Sequence, residues 1–157
     1  MSLYSYGEEI EYEIVERSSL TPKMIEDFSC GNEVIDYDLK ENIEETSKYV
    51  VDINNQNLIG FISYQASGVP MVYESNRITK PALLINLFAI DKKYQHLQFE
   101  ENQDYKFTFS DEIFCKFLAM FRDISDEYLY FEYIILYSVP LAQNYKQVTT
   151  ENNYHLS

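Results

Sequence analysis

The most constraining feature of the sequence is a nearly continuous apolar run at residues 82–90, Ala-Leu-Leu-Ile-Asn-Leu-Phe-Ala-Ile. Runs of this kind are typical of a central strand, because such a strand is buried on both faces. The polar segment Asp-Lys-Lys-Tyr-Gln follows at residues 91–95, and Thr108 and Asp111 then have the spacing of a helix capping box. The sequence therefore predicts a buried strand, a polar turn and a helix, in that order.

The predicted helix should be largely buried. Six apolar side chains follow the capping box at helical spacing and form one broad stripe: Ile113, Phe114, Phe117, Leu118, Phe121 and Ile124. The first turn of a helix carries unpaired backbone N–H groups, and these groups favour anions. We therefore expect any functional site to lie at the strand-to-helix junction, within residues 81–124.

The N-terminal part of the chain predicts one strand and two short helices. Residues 10–15 alternate apolar and acidic side chains, as a half-buried strand does. Thr21 and Pro22 are typical of an N-cap followed by proline at the first helical position, which predicts a helix as far as Phe28. Asn32 can cap a second helix, whose apolar face consists of Ile35, Leu39 and Ile43.

The middle of the chain predicts a hairpin. Two β-rich runs, residues 48–53 and 58–64, flank Asn-Asn-Gln-Asn, and asparagine tolerates the left-handed conformations of tight turns. Residues 66–80 contain glycine and proline without a sustained period, so they are predicted to form a long connection.

The C-terminal part predicts a second apolar strand at residues 131–137 and a short helix at 140–146. Residues 147–157 have room for a short tail or one strand.

Composition indicates one cytoplasmic domain. A chain of 157 residues fits a single domain, 1–157, and it has neither an apolar run long enough to span a membrane nor a signal-peptide pattern. The opening Met-Ser-Leu carries no argument, because a cloning remnant would look the same. Cys30 and Cys115 are too few for a disulfide scaffold, and neither His96 nor His155 has partners at metal-ligand spacing, so no metal site is expected.

The formal charge disfavours nucleic acid as a partner. The chain carries 12 Lys and Arg against 26 Asp and Glu, a net charge of −14. Surfaces that bind duplexes or tRNA draw most of their affinity from basic side chains that neutralise phosphates. An acidic surface that aids solubility is the simpler interpretation.

Three motifs resemble the GNAT (GCN5-related) N-acetyltransferases, and in particular a small bacterial branch with Phe-x-Cys-Gly-Asn near its start. That signature lies at residues 28–32, and the family's fourth strand with its exit lies at residues 87–95. The fifth strand and the helix after it are matched by residues 134–138, Pro140, Ala142 and Tyr145. The resemblance covers most of residues 10–146. It implies an α/β (α+β) fold with a mixed, mostly antiparallel central sheet flanked by helices.

The resemblance also implies an activity. In GNAT enzymes the fourth and fifth strands splay apart, and acetyl-CoA pairs like an extra strand with the backbone of the fourth. On this chain that backbone belongs to Phe88, Ala89 and Ile90. Tyr145 is the candidate general acid that protonates the leaving thiolate. The acceptor is an unidentified amine on a small molecule or a protein, and a homodimer stays open.

The segment that binds the cofactor phosphates in the family departs from its pattern here. Its predicted positions are Gln95, His96, Leu97 and Gln98, and the two glycines that let backbone amides approach a pyrophosphate are absent. Residues 97–112 carry five carboxylates against Lys106, a net charge of −4. A carboxylate about 8 Å from a phosphate charge costs about 0.5–2 kcal/mol. The segment is also longer than a phosphate loop requires.

Several functions remain open from the sequence. Cofactor binding is either weakened or lost in a remodelled loop, or it is retained through Lys92, Lys93 and the amides near Ser110. An acetyl-CoA-dependent N-acetyltransferase and a non-catalytic protein-binding module of the same fold are the two main hypotheses. A toxin-like acetylation of aminoacyl-tRNA is a third, which the net charge disfavours.

Overall fold

The computed structural model describes residues 2–5, 8–41, 47–95, 97, 108–127, 131–137 and 151–155. These residues form, in chain order, β1 (Ser2–Ser5), β2 (Glu8–Val15), α1 (Pro22–Asp27), α2 (Glu33–Glu41), β3 (Ser47–Asp52), β4 (Asn57–Tyr73), β5 (Asn76–Ile90), α3 (Phe109–Glu127), β6 (Tyr133–Tyr137) and β7 (Glu151–His155). The strands lie in chain order across one sheet, and only the β5–β6 pair is parallel. The α+β class and the mostly antiparallel sheet are as predicted.

The sheet separates two hydrophobic clusters. Alternate residues of β3 and β4 face opposite sides, so Val50 packs with α3 whereas Tyr49 and Val51 pack with α1 and α2. The predicted stripe on α3 is confirmed, since Ile113, Phe117 and Phe121 are fully buried. None of the described helices has both the length and the apolar content of a membrane span.

The three predicted helix starts are confirmed. The Thr21 side chain accepts a hydrogen bond from the Met24 N–H at 3.2 Å, and Pro22 occupies the first helical position of α1. The Asn32 side chain accepts hydrogen bonds from two amides at the start of α2. Thr108 and Asp111 form the reciprocal capping box at the start of α3. Local capping chemistry therefore sets where each helix begins.

The β3–β4 hairpin was predicted correctly, but its turn uses different chemistry. The left-handed residue is Gln56, with φ of 56°, and not one of the three asparagines. The buried Asp52 carboxylate accepts hydrogen bonds from the backbone N–H groups of Asn54 and Asn55, each at 3.1 Å. The turn is therefore held by an aspartate at its base.

The prediction of a long connection at residues 66–80 was wrong. These residues belong to the extended ends of β4 and β5, which pair without interruption from Ala66–Leu83 to Tyr73–Asn76. Periodicity gave no signal because most side chains on both faces of this ribbon are exposed, so no apolar alternation was needed. The turn is formed by Glu74 and Ser75, both with positive φ.

The prediction for the C-terminal region is only partly testable. The second apolar strand is confirmed as β6, and one short strand, β7, follows it. The predicted helix at 140–146 and Ile43 of the α2 stripe lie outside the described residues.

Candidate functional site

A segment of β5 extends beyond its parallel neighbour. β6 pairs with β5 from Ala82–Tyr133 to Ile85–Leu136, and β5 then continues to Ile90. On the side of β5 that faces β6, no strand among the described residues pairs with residues 86–90. Such an edge presents backbone donors and acceptors to whatever lies beside it.

A β-bulge marks the point where the two strands part. Ser63 pairs with Leu87 whereas Tyr64 pairs with Ile85, so Asn86 is the extra residue on β5. A bulge bends its strand and increases the local twist. The last β5–β6 pair is at Ile85, directly before the bulge. The bulge therefore coincides with the start of the segment that β6 leaves unpaired.

The side chains at residues 88–90 pack in the two hydrophobic clusters on either side of the sheet. Phe88 packs against α3, with its ring centroid 5.1 Å from that of Phe114. Ala89 is buried on the α1–α2 face, and Ile90 is buried on the α3 face. Phe88, Ala89 and Ile90, the predicted cofactor-binding residues, can therefore offer a ligand mainly their backbone.

The exit of β5 is fastened to the loop between α1 and α2. The buried Asp91 carboxylate accepts hydrogen bonds from the Ser29 N–H at 3.0 Å and from the Lys93 N–H at 2.8 Å. The Lys92 N–H donates to the Ser29 carbonyl at 2.9 Å. The amides of Lys92 and Lys93 are therefore used within the fold, although both lysine side chains are exposed.

The Gln95 side chain completes this connection. Its Nε2 donates to the carbonyl oxygens of Cys30 at 2.8 Å and Ile90 at 2.7 Å. Gly31 has φ of +95°, and a Cβ there would lie 3.1 Å from Lys92 Cε. Only glycine adopts this conformation without strain. The two sequence motifs, residues 28–32 and 87–95, thus form one hydrogen-bonded unit.

A buried polar network lies just beyond Asp91. The Tyr94 hydroxyl donates to Asp52 Oδ2 at 2.7 Å and accepts from Asn57 Nδ2 at 3.3 Å. Burial, and secondarily the hydrogen bond to Asp52, raises the pKa of Tyr94. Every described buried side-chain polar atom has a hydrogen-bond partner. This network links the β3–β4 turn to the end of β5.

Cys30 lies in the same region but is a poor nucleophile. Burial is the main cause that raises the pKa of the Cys30 thiol to about 11, with a smaller contribution from Asp36. The thiolate is the reactive form of cysteine, so little of it is present at neutral pH. Cys30 therefore serves packing within the loop.

Three of the four amides in the first turn of α3 are hydrogen-bonded within the fold. The Phe109 N–H donates to the Leu97 carbonyl at 2.8 Å, the Asp111 N–H to Thr108 Oγ1 at 3.3 Å and the Glu112 N–H to the Thr108 carbonyl at 3.1 Å. Asp111 and Glu112 place two carboxylates in the first turn. The Leu97 side chain is buried in the α3 cluster. This helix start is therefore a weak anion site, because most of its N–H groups are occupied and the two carboxylates oppose an anion at the positive end of the dipole.

A small pocket of about 10 Å³, which has room for about one water, lies on the α1–α2 face. It extends to Leu87, inside the segment that β6 leaves unpaired, and its polar lining comes from Arg17, Asp38, Ser47, Tyr49 and Ser63. The Arg17 guanidinium donates to the Tyr49 hydroxyl at 3.2 Å, and the Ser47 and Ser63 hydroxyls share a hydrogen bond at 2.8 Å. The pocket therefore carries both charge signs and several hydroxyl groups.

The predicted site residues fall into two groups. Phe88, Ala89, Ile90, Gln95 and Leu97 come together around the end of β5. His96, Gln98 and Tyr145 lie outside the described residues.

Sequence reasoning missed the pocket. Asp38 occupies an ordinary helical position in the sequence, and Arg17 lies in a short 3-10 turn (Arg17–Ser19), so nothing local marked them as neighbours.

The role of Asp52 in the β3–β4 turn could have been found, since an aspartate directly before an asparagine-rich turn commonly accepts hydrogen bonds from the amides of that turn.

Comparison with known proteins identifies the fold and nothing beyond it. No family profile and no curated protein matches the sequence. A crystal structure described as a bacterial toxin matches with TM-score 0.59 and 18% identity, covering 83% of this chain and 75% of that chain. A tyrosine-to-phenylalanine mutant of the toxin AtaT matches with TM-score 0.58 and 13% identity, covering 83% and 74%.

The same AtaT mutant bound to the C-terminus of the antitoxin AtaR and acetyl-CoA matches with TM-score 0.54 and 12% identity, covering 85% and 77%. At these identities the likeness concerns the fold alone. The chain has a GNAT-like α+β fold.

Proposed function

We propose that the protein is an N-acetyltransferase that uses acetyl-CoA and binds it weakly. The observation that carries this proposal is the edge of β5 at residues 86–90, with which no strand among the described residues pairs and which begins at the bulge at Asn86. An extended amide chain can add to such an edge by backbone hydrogen bonds, as peptides do in β-augmentation. The pantetheine arm of acetyl-CoA has the required amides.

The residues at this edge fit that ligand in part. The Ile90 carbonyl already accepts a hydrogen bond from Gln95, so pairing would rely on the backbone from Asn86 to Ala89. The amides of residues 92 and 93 are also used internally. Phosphate groups would therefore depend on the segment after Gln95 and on the exposed Lys92 and Lys93 side chains.

We place the approach of the acceptor amine at the surface beside Leu87, where the pocket itself has room for about one water. The amine nitrogen forms a bond to the acetyl carbon, the carbon–sulfur bond breaks, and the thiolate takes a proton from Tyr145. The amine must lose its own proton before or during the attack. Arg17 and Asp38 in the pocket lining carry opposite charges, so the lining does not select the charge of the acceptor.

Weak cofactor affinity follows from the first turn of α3. Three of its four N–H groups are occupied, and its two carboxylates, Asp111 and Glu112, oppose a phosphate. The likeness to an AtaT structure that contains acetyl-CoA supports the choice of cofactor. We expect a Kd between about 10 μM and 1 mM, corresponding to about 4–7 kcal/mol.

Titration calorimetry with acetyl-CoA, followed by detection of free CoA thiol in the presence of amines, tests this proposal. We expect saturable binding and amine-dependent thiol release, which Tyr145→Phe lowers at least tenfold while the Kd changes less than twofold. Tyr37→Phe, on the exposed face of α2, is the matched control. Absence of heat and of any thermal shift at millimolar acetyl-CoA would refute the enzymatic proposal.

A non-catalytic protein-binding module is the second candidate. The hydrogen bonds that occupy most amides at the start of α3 and the bond from Gln95 to the Ile90 carbonyl favour it, because both remove groups a cofactor would use. A neighbour of the same fold binds the C-terminus of an antitoxin. This candidate predicts no acetyl-CoA binding in the same calorimetry, so one experiment separates the two functions.

A further inference from the structure

A larger cavity, here called the groove, lies beside the small pocket that reaches Leu87. Its volume of about 520 Å³ is within the range of small-molecule sites, about 300–1,000 Å³. Three apolar and three charged residues line the groove: Leu20, Pro22, Ile25, Arg17, Glu26 and Lys40. Arg17 lines both cavities, so a molecule in the groove lies next to the surface beside Leu87.

Arg17 is held in place by a buried tyrosine. Its guanidinium donates to the Tyr49 hydroxyl at 3.2 Å, its Cζ lies 5.8 Å from the centre of the same ring, and Tyr49 is 2% exposed. A guanidinium whose position is already fixed loses less freedom when it binds an anion. Its planar array of N–H groups matches a carboxylate through two parallel hydrogen bonds. Arg17 is therefore a preorganised group for binding an anion.

The charges in the lining favour a ligand with one negative charge. Neither Arg17 nor Lys40 forms an ion pair with a residue that the structure describes, Glu26 and Asp38 included. Glu26 is exposed and solvated, whereas Arg17 is half-buried, where a charge is screened less. The two cations and one carboxylate of the lining give a formal charge of +1. A polyanion would in addition meet the acidic remainder of a chain that carries −14.

The rest of the lining is apolar. Leu20 and Ile25 are half-buried and pack against the cluster under α1 and α2, and Pro22 is exposed at the first position of α1. An aliphatic group that covers these side chains removes apolar surface from water, which favours binding. The groove therefore combines one fixed anion-binding group with an aliphatic wall.

We propose that the groove binds an acceptor amine that also carries a carboxylate and an aliphatic group, as an aliphatic amino acid does. The assignment of this ligand as the acceptor rests on the acetyltransferase function proposed above. The carboxylate pairs with Arg17, and Lys40 supplies a second positive charge. The aliphatic group lies against Leu20 and Ile25. Because Arg17 also lines the small pocket, the amine, which is next to the carboxylate in an amino acid, lies on the side of Leu87.

Protein NMR titration without acetyl-CoA tests the groove by itself. Leucine and leucinol share the amine and the aliphatic group, but leucinol has a hydroxymethyl group in place of the carboxylate. We expect the Kd of leucine to be lower than that of leucinol by about fivefold or more, and Arg17→Gln to abolish this difference. Lys23→Gln, which removes an exposed cation of α1 outside the lining, is the matched control and should preserve it. Equal affinities overturn the proposal, and so does a preference for leucine that survives Arg17→Gln.

Lys40→Gln provides a second variant that does not disturb the contact with Tyr49. Lys40 is exposed in the last turn of α2, so its replacement should leave the fold intact. The preference for leucine over leucinol should fall by about two- to fivefold, as expected for an exposed ion pair. An unchanged preference in Lys40→Gln would overturn the site with two cations.

Thiol release from acetyl-CoA separates this proposal from the enzymatic one. At equal subsaturating concentrations, leucine should release thiol about fivefold faster than leucinol, and Arg17→Gln should equalise the two rates. Equal rates in the unmodified protein would overturn the groove as the acceptor site and leave the transferase function standing. Binding of leucine that depends on Arg17, without any thiol release, would refute the transferase function and leave the groove as an amino-acid site.

Discussion

The Ser29 backbone N–H donates a hydrogen bond of 3.0 Å to the buried carboxylate of Asp91, 62 residues later in the chain. This bond joins the loop after α1 to the residue directly after β5, and the Gln95 side chain reinforces the same junction from the other side. The exit direction of β5 is therefore fixed by polar contacts to a distant loop.

Replacing Asp91 tests how much this junction stabilises the fold. Asp91→Ala leaves the partly buried N–H groups of Ser29 and Lys93 without their charged acceptor, so the free energy of unfolding should fall by about 2–4 kcal/mol. Asp126→Ala, exposed on α3, should change it by less than about 0.5 kcal/mol. Urea denaturation measures both, and equal effects would contradict the assigned role.

Two glycines on β4 test how closely β4 packs against β5, the strand that carries the site. A Cβ at Gly60 would lie 2.5 Å from the Ala89 carbonyl oxygen, which is backbone, whereas a Cβ at Gly68 would meet the Thr79 side chain. Gly60→Ala should destabilise by about 2–3 kcal/mol because β5 must shift. Gly68→Ala should cost less than about 1 kcal/mol, since a rotamer change relieves the contact. The reverse order would be inconsistent with this geometry.

Neutralising the start of α3 should strengthen cofactor binding. Asp111→Asn keeps an oxygen that can cap Thr108 but removes one charge near the proposed phosphate position. The Kd for acetyl-CoA should fall about 2- to 10-fold at low salt, and less at high salt. Asp126→Asn, 15 residues farther along α3 and about 22 Å away, serves as the control in the same calorimetry. An unchanged Kd for Asp111→Asn would show that the phosphates lie elsewhere.

Stability should decline in alkaline solution. Burial, with a smaller contribution from Glu112, raises the pKa of Tyr12 from 10.0 to about 12. Below about pH 10 the Tyr12 hydroxyl is protonated in both the folded and the unfolded state, so pH does not change the free energy of unfolding through this group. Between pH 10 and about 12 only the unfolded chain ionises, so the free energy of unfolding falls by up to about 1.4 kcal/mol per pH unit.

Urea denaturation at pH 9, 10 and 11 measures this decline. Tyr12→Phe should give a shallower pH dependence than the unmodified chain, whereas Tyr37→Phe, exposed on α2, should not. Identical slopes for all three proteins would exclude Tyr12 as a contributor.

Features with a local cause were predictable from the sequence. The caps at Thr21, Asn32 and Thr108 act within three residues of their own positions, so they were visible directly. The buried strand was visible because both of its faces are apolar. The family resemblance added the mixed, mostly antiparallel sheet and the splaying of two of its strands, which no periodicity encodes.

Features that depend on distant contacts were not predictable. The ribbon of residues 66–80 is exposed on both faces, and its pairing across β4 and β5 left no alternation to detect. The pocket unites Arg17, Asp38 and Leu87 from three separate elements. The Gln95 side chain was predicted to contact a cofactor, and nothing in its neighbours indicated that it donates to Cys30 and Ile90.

Hydrogen exchange with and without acetyl-CoA tests the central claim most directly, namely that the edge of β5 at residues 86–90 is a backbone binding slot. We predict that millimolar acetyl-CoA slows amide exchange in peptides covering residues 86–90. Peptides from the turn between β4 and β5, around residues 72–77, should be unaffected, which provides an internal control. Unchanged exchange at residues 86–90 with saturating cofactor would contradict the claim.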